Sequence, residues 1–337
     1  MRQAGQLLGA LCVVVVLALV SGCSGNGGDG TGLTGPSVGT AASPPNPNKI
    51  VYERKVQQGK GWYYSRLFTV NPDGTGVTEV AGNGSGDPAW SPDGTKIVYS
   101  CSNRLYTMGA DGSGKTPITS KNVDVDPAWS PNGTTIAFAR NSGRYSIGLY
   151  TVPATGGTAK LVPGTVPGDQ LACWSPNGDF LLFEGSQRKD ANGDEAIGLY
   201  TIPSAGGTAT RLIDTFEGTT YGYNYHSDSD WTATPTDRIL YGINTTVDGK
   251  PSFYIFCQGV AVSGGSVTTV GDPFVVGVGE HPTWSPTGLQ AAMSALAGYG
   301  VLRRDVPLTP PPSIPGPFWV TPLPGSADQG MDPDWSP

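Results

Sequence analysis

Histidine is nearly absent from this chain: two residues in 337, His226 and His281. A Ser-His-Asp hydrolase would have to use one of these two, and no serine is marked as its partner. There is no Cys-x-x-Cys zinc pattern, no P-loop and no dinucleotide fingerprint, so the common metal and nucleotide signatures are missing as well. Basic residues are few. Twenty Lys and Arg against 27 Asp and Glu leave a net charge of −7, which argues against nucleic acid and against lying flat on an anionic membrane. No amphipathic helical stretch stands out. The one long apolar run, Leu7 to Val20, is shorter than the roughly 20 residues a spanning helix needs.

Glycine and proline are plentiful, 50 and 30 residues, as in an all-β chain dense in turns. They fall in a repeat. DPAWSPDGTKIVYS (87–100) returns as DPAWSPNGTTIAFA (126–139), LACWSPNGDFLLFE (171–184) and HPTWSPTGLQAAMS (281–294). A degenerate copy, DSDWTATPTDRILYG, spans 228–242, and the chain stops on half a copy, DPDWSP, at 332–337. Each copy has one grammar. A run ends in Trp, Ser-Pro blocks further pairing because Pro lacks an N–H, and Asp-Gly or Asn-Gly suits a tight hairpin. An apolar strand follows. Between copies lies a second unit of strand, Gly-rich turn and strand, such as GLYTVPATGGTAKLV (148–162).

Four short strands per period make a β-propeller blade. The Trp residues at 90, 129, 174, 231, 284 and 335 are spaced by 39, 45, 57, 53 and 51. The last copy lacks its turn and next strand, and both appear at the other end, where Lys49-Ile50-Val51-Tyr52 repeats Lys96-Ile97-Val98-Tyr99. The expected fold is therefore all-β: a six-bladed propeller over 49–337, closed by pairing of the N- and C-terminal strands. The phrase resembles the TolB-type, WD40-like repeat over nearly the whole mature chain. The blade of Trp231 departs from it, because Thr-Ala-Thr-Pro replaces Ser-Pro. So does the last blade, with its Pro-rich stretch from Pro307 to Pro317.

The N-terminus reads as an address. Arg2 is its only charge, and Val20-Ser21-Gly22-Cys23 matches a bacterial lipobox. We expect residues 1–22 to be a lipoprotein signal peptide and Cys23 to carry diacylglycerol. Removal of 1–22 takes away Arg2 and no acid, so the net charge moves from −7 to −8. Residues 24–48 have almost no apolar side chains and form a tether with an r.m.s. reach of about 25–30 Å. The expected location is the bacterial cell envelope, lipid-anchored on the extracytoplasmic side of a membrane. Cys101, Cys173 and Cys257 remain, an odd number placed in separate blades, so buried free thiols are expected.

Most conspicuous residues have structural explanations. The Trp residues recur at one blade position, which makes them packing elements rather than a sugar platform. Gly35-Pro36-Ser37-Val38-Gly39 matches the nucleophile-elbow string but sits in the tether. The loop 189–195 contains Asp190-x-Asn192-x-Asp194, yet Glu195 stands where a calcium loop needs Gly. The register three residues before each Trp is different. It holds Asp87, Asp126, Leu171, Asp228, His281 and Asp332. On the innermost strand of each blade these face the mouth of the central channel. Packed carboxylates repel unless a cation or protons intervene, and oxygen-rich rings suit Ca²⁺ or another divalent cation. Equally, each Asp can cap its own Asp-Pro turn. The loop with Tyr221, Tyr223, Tyr225 and His226 should reach the same mouth, and aromatic loops of this kind are common in binding surfaces.

The resemblance to TolB implies a non-enzymatic envelope protein, a monomer, whose propeller binds a protein or peptide. TolB carries an extra N-terminal domain and docks on a peptidoglycan-associated lipoprotein; here a lipid anchor stands in that domain's place. Two alternatives stay open. Oligogalacturonate lyases have a similar propeller with a His-rich metal site at the channel mouth, where this chain offers His281 and at most His226. A glycan or small-molecule sensor without turnover is the other. One propeller scaffold hosts many functions.

Overall fold

The computed structural model describes residues 48–57, 63–120, 122–143, 145–186, 188–189, 198–214, 226–233, 235–247, 250–295, 300–308 and 330–336. The signal segment, Cys23, the tether and the loop 190–197 lie outside them.

Six antiparallel sheets form a ring. Blade 1 combines both ends of the chain: β23 (Gly330–Trp335), β1 (Ile50–Gln57), β2 (Tyr63–Val70) and β3 (Thr78–Ala81), in that order. Blade 2 is β4 (Ser85–Trp90), β5 (Lys96–Cys101), β6 (Arg104–Gly109) and β7 (Thr116–Pro117). Blade 3 is β8 (Val123–Trp129), β9 (Thr135–Ser142), β10 (Tyr145–Pro153) and β11 (Lys160–Leu161). Blade 4 is β12 (Asp169–Trp174), β13 (Phe180–Gly185), β14 (Gly198–Pro203) and β15 (Thr210–Asp214). Blade 5 is β16 (His226–Thr232), β17 (Arg238–Val247), β18 (Lys250–Ser263) and β19 (Ser266–Val278). Among the described residues blade 6 has β20 (Glu280–Trp284), β21 (Gln290–Ser294) and β22 (Val301–Asp305).

The closure is as expected. Ile50 pairs with Trp335 and Val51 with Asp334. Ser336 donates its N–H to Lys49 O at 2.7 Å, and Lys49 N–H donates to Ser336 Oγ at 2.7 Å. The Trp-bearing strands β23, β4, β8, β12, β16 and β20 each neighbour the next around a closed inner ring.

The Trp-Ser-Pro phrase is scaffold. Trp90 packs with Val51 and Leu67 of blade 1 and with Ile97 and Met108 of its own blade. Trp129 sits likewise among Val98 and Leu105 of blade 2 and Ile136 and Phe138 of blade 3. Blades therefore share their cores, as stacked repeats must. The serine is buried and closes its turn. Ser91 Oγ donates to Asp93 Oδ1 at 2.6 Å and accepts the Lys96 N–H at 2.9 Å. Ser130 and Asn132 in blade 3, and Ser175 and Asn177 in blade 4, repeat this. Gly94 follows at φ +66°, a conformation in which a Cβ is disfavoured.

Across the second and third strands of five blades, one aromatic pair stacks, from Tyr99–Tyr106 at 5.6 Å to Tyr52–Phe68 at 6.0 Å between ring centroids. Blade 6 puts Met293 opposite Leu302 instead. None of the three described cysteines is in a disulfide, but only Cys257 is buried; Cys101 and Cys173 are half-buried, Cys173 on the wall of a central cavity. Burial raises the Cys257 thiol to about 11, although nearby Arg238 opposes the rise.

Candidate functional site

Each innermost strand is interrupted by the same bulge. In blade 2, Gly86 faces Ser100 and Ala89 faces Val98, so Asp87 and Pro88 together oppose Tyr99. The step recurs at Asp126-Pro127, Leu171-Ala172 and His281-Pro282. The pairing shifts at the matching places in β16 and between β1 and β23. A bulge of this kind puts its first residue in the left-handed region. Asp87, Asp126, Leu171 and His281 have φ of 48°, 51°, 53° and 50°.

This gives the register before Trp a backbone reason. Asp and His are among the side chains that tolerate positive φ, and they recur where the fold demands it. Leu171 does not share that tolerance and carries a strain of about 1–2 kcal/mol. Asp87, Asp126, Leu171 and His281 line one cavity of about 520 Å³ together with residues from all six innermost strands. Asp87 Oδ2 accepts the Ser100 hydroxyl of the adjoining strand at 2.7 Å. Asp228 and Asp332 stand at the same bulge on β16 and β23, but their side chains lie outside the described residues. So does the side chain of His226, at the start of β16, and the whole of Tyr223 and Tyr225. Among the described residues no group of three or more His, Cys, Asp or Glu side chains is placed to hold a metal ion.

A second register, one residue before each Trp, escaped the sequence analysis. Around the ring it reads Ala89, Ala128, Cys173, Asp230, Thr283 and Asp334, and all six line the cavity. Three consecutive blades are linked through it. Thr283 Oγ1 lies 3.2 Å from Asp230 Oδ2 and 3.2 Å from Asp334 Oδ1. Asp230 Oδ2 also accepts the backbone N–H of Trp284 at 2.7 Å, and Asp334 Oδ2 that of Trp90 at 2.5 Å. Each carboxylate thus reaches from its own blade to the Trp of the next. Where the register holds Ala, the linkage changes. Trp129 donates its indole N–H to Ala89 O at 3.2 Å, and Trp174 donates to Ala128 O at 3.1 Å. The indole Nε1 atoms of Trp90 and Trp284, whose preceding blades hold Asp334 and Asp230 in this register, are buried without an acceptor. The signal was available: comparison of the copies at this offset shows Ala, Ala, Cys, Asp, Thr and Asp in order.

Further along the innermost strands, two more carboxylates are fully buried and paired. Asp124 takes Arg140 at 2.6 and 3.1 Å, and Asp169 takes Arg188 at 2.9 and 2.6 Å. Each guanidinium also lies over its blade's aromatic pair, Arg140 at 4.6 Å from the Tyr150 centroid and Arg188 at 4.8 Å from that of Tyr200. Burial raises the Asp169 carboxyl above the usual carboxylate range, with Arg188 and the Val166 N–H acting in the opposite direction.

No known family profile matches the chain, and no curated protein is recognisably similar to it. Solved structures are similar in fold. TolB from Acinetobacter baumannii is 18% identical, with a TM-score of 0.60 over 87% of this chain and 68% of that one. A putative TolB from Agrobacterium tumefaciens is 20% identical over 78% and 86%, with a TM-score of 0.48. Oligogalacturonate lyase in complex with manganese is 11% identical over 71% and 67%, at 0.47. The architecture is that of a TolB-like six-bladed propeller.

Proposed function

We propose that this chain is a binding module of the bacterial cell envelope, held by a lipid on Cys23 on the extracytoplasmic side of a membrane. It acts as a monomer and takes a protein or peptide partner at the channel mouth without turning it over. The mouth carries the proposal. Six inner strands open onto one cavity of about 520 Å³, lined by Asp87, Asp126, Asp230, Asp334 and His281 and, among the described residues, by no Lys or Arg. That volume is within the ordinary range of ligand pockets and admits a short loop or a few side chains. The fold shared with a TolB propeller supports a scaffold role. The Gly-rich segment 24–48 gives such a module freedom to turn on its anchor.

Two measurements test the proposal. Affinity capture from detergent-solubilised envelope, with the full chain as bait, should return a defined partner that a Leu171→Trp variant, its mouth obstructed, no longer holds. Equal capture by both proteins removes the mouth from the account. Cys23→Ser should move the protein from the membrane to the soluble fraction; unchanged partition would sink the lipid anchor.

A further inference from the structure

We infer that Leu171 selects the partner: with Trp129 and Trp174 it forms a subsite for an apolar side chain presented by the partner's peptide chain. The inference rests on the central cavity being the partner-binding surface.

Leu171 stands where the fold favours a different residue. The other five copies put Asp or His three residues before Trp, and blade 4 alone puts an apolar residue there. Its backbone is held at φ 53°, in the left-handed region that leucine tolerates poorly. An exposed leucine on an unstrained backbone needs no explanation, but a strained one does. Core packing does not supply one. Leu171 is half-buried on the cavity wall and belongs to none of the hydrophobic clusters of the described residues. The next residue, Ala172, is buried in the core between blades 3 and 4. A side chain kept on a costly backbone without a return inside the fold is the mark of a ligand contact.

The second observation is the unequal burial of the tryptophans. Trp90, Trp231 and Trp284 are buried. Trp129 and Trp174, on blades 3 and 4, are half-buried and line the same cavity as Leu171. Their polar atoms are already engaged, the Trp129 N–H by Ala89 O at 3.2 Å and the Trp174 N–H by Ala128 O at 3.1 Å. What these two rings leave to the cavity is therefore hydrocarbon, and the hydrogen bonds hold it in place. Two fixed aromatic surfaces and a leucine, on adjacent blades of one concave site, suit an apolar side chain. Contact removes water from both partners, and the rings lose little freedom when it forms. A hydroxylated side chain set against these three residues would give up water and gain no hydrogen bond from them.

The experiment is saturation-transfer NMR titration of the full chain with N-acetyl-leucinamide, N-acetyl-phenylalaninamide, N-acetyl-serinamide and galacturonate, with thermal melting of each variant. The leucine or the phenylalanine compound should bind about tenfold or more tighter than the serine compound. Which of the two is tighter tells an aliphatic from an aromatic side chain. Leu171→Asn relieves the backbone and removes the contact, so it should weaken that binding about fivefold or more while Tm rises. Leu171→Met keeps an apolar chain and should hold binding within about threefold of the parent. Leu289→Asn, the same change at an exposed leucine outside the cavity lining, should leave binding unchanged. A purely structural role for Leu171 would move Tm and leave the preference over serine intact. Equal binding of the serine and apolar compounds, no binding of any amide, or parental binding by Leu171→Asn overturns the inference. So does galacturonate binding while the amides do not bind. Capture of one envelope partner equally by parent and Leu171→Asn, but not by Leu171→Trp, would end the apolar subsite and leave the proposed function standing; amide binding with the expected Leu171 dependence, but no captured partner, would do the reverse.

Discussion

The channel mouth has two arcs built from one repeat. In the arc of Ala89 and Ala128, backbone carbonyls tie each blade to the indole of the next Trp. In the arc of Asp230, Thr283 and Asp334, carboxylates tie each blade to the backbone N–H of the next Trp, and the indoles are left over. The energies nearly offset. A hydrogen bond to a charged group contributes about 1.5–3 kcal/mol, and an orphaned buried donor costs about 1–3 kcal/mol. The acidic arc therefore gains little stability by being acidic, and what it gains is charge displayed at a cavity. The arc of Ala89 and Ala128, which also presents Asp87 and Asp126 to the cavity, hides other charges. Its blades 3 and 4 bury Asp124 and Asp169 against arginines, where they meet no solvent. Repetition supplies the frame, and departures from it locate the chemistry.

The comparison can be broken at four places. Arg188→Met should have the largest effect. It strands a fully buried Asp169 and should lower unfolding free energy by about 3–5 kcal/mol in urea denaturation at pH 7. The sign with pH follows from the carboxyl lying above its usual range. A raised acid binds its proton more tightly when folded, so the stabilising contribution of the protonated form is complete below the unfolded value and is lost as pH rises through the folded one. The penalty for Arg188→Met should accordingly shrink as the pH is lowered toward 4. An undiminished penalty would show that packing of the guanidinium on Phe183 and Tyr200, not charge, is at stake.

Asp334→Ala comes next. It removes the acceptor of the Trp90 N–H on the strand that closes the ring, and should cost about 2–3 kcal/mol. Asp334→Asn, which can still accept, should cost visibly less in the same assay. Thr283→Val should cost about 1 kcal/mol at pH 7, since one hydroxyl serves two carboxylates. Its effect should fall at low pH, when a protonated carboxyl donates in its place; a pH-independent loss would mean that the hydroxyl does not mediate between the acids. The smallest effect is a gain. Leu171→Asn places a tolerant residue at φ 53° and should raise stability by about 1 kcal/mol, read as an increase in Tm. No gain would mean that the apolar contacts of Leu171 outweigh its backbone strain.

Much of this was legible from residues alone. Ser-Pro and Asp-Gly punctuate hairpins through their own backbone restrictions, so blade number and strand order follow from local chemistry. The half copy at 332–337 and the orphan strand at Lys49 announced the closure. The site was legible in position but not in cause. The residues three before Trp were marked as channel-facing; Asp87, Asp126 and His281 line the cavity, yet a left-handed bulge accounts for their identity as well as any ligand does. The Ala-to-Asp register one residue before Trp was passed over because it is irregular, and a search for repeats discards irregularity.

The sequence by itself determined an all-β ring of six blades, its closing strand and the packing role of its tryptophans, because each depends on contacts a single repeat makes with its neighbour. Only the tertiary structure decided that Asp230, Thr283 and Asp334 meet. They stand 53 and 51 residues apart and touch because the ring brings innermost strands of successive blades side by side at the mouth. It also decided that Asp124 and Asp169 are hidden while Asp230 and Asp334 line a cavity. Periodicity along a chain specifies which residues are equivalent; the radius and register of the closed ring specify which of them share a hydrogen bond.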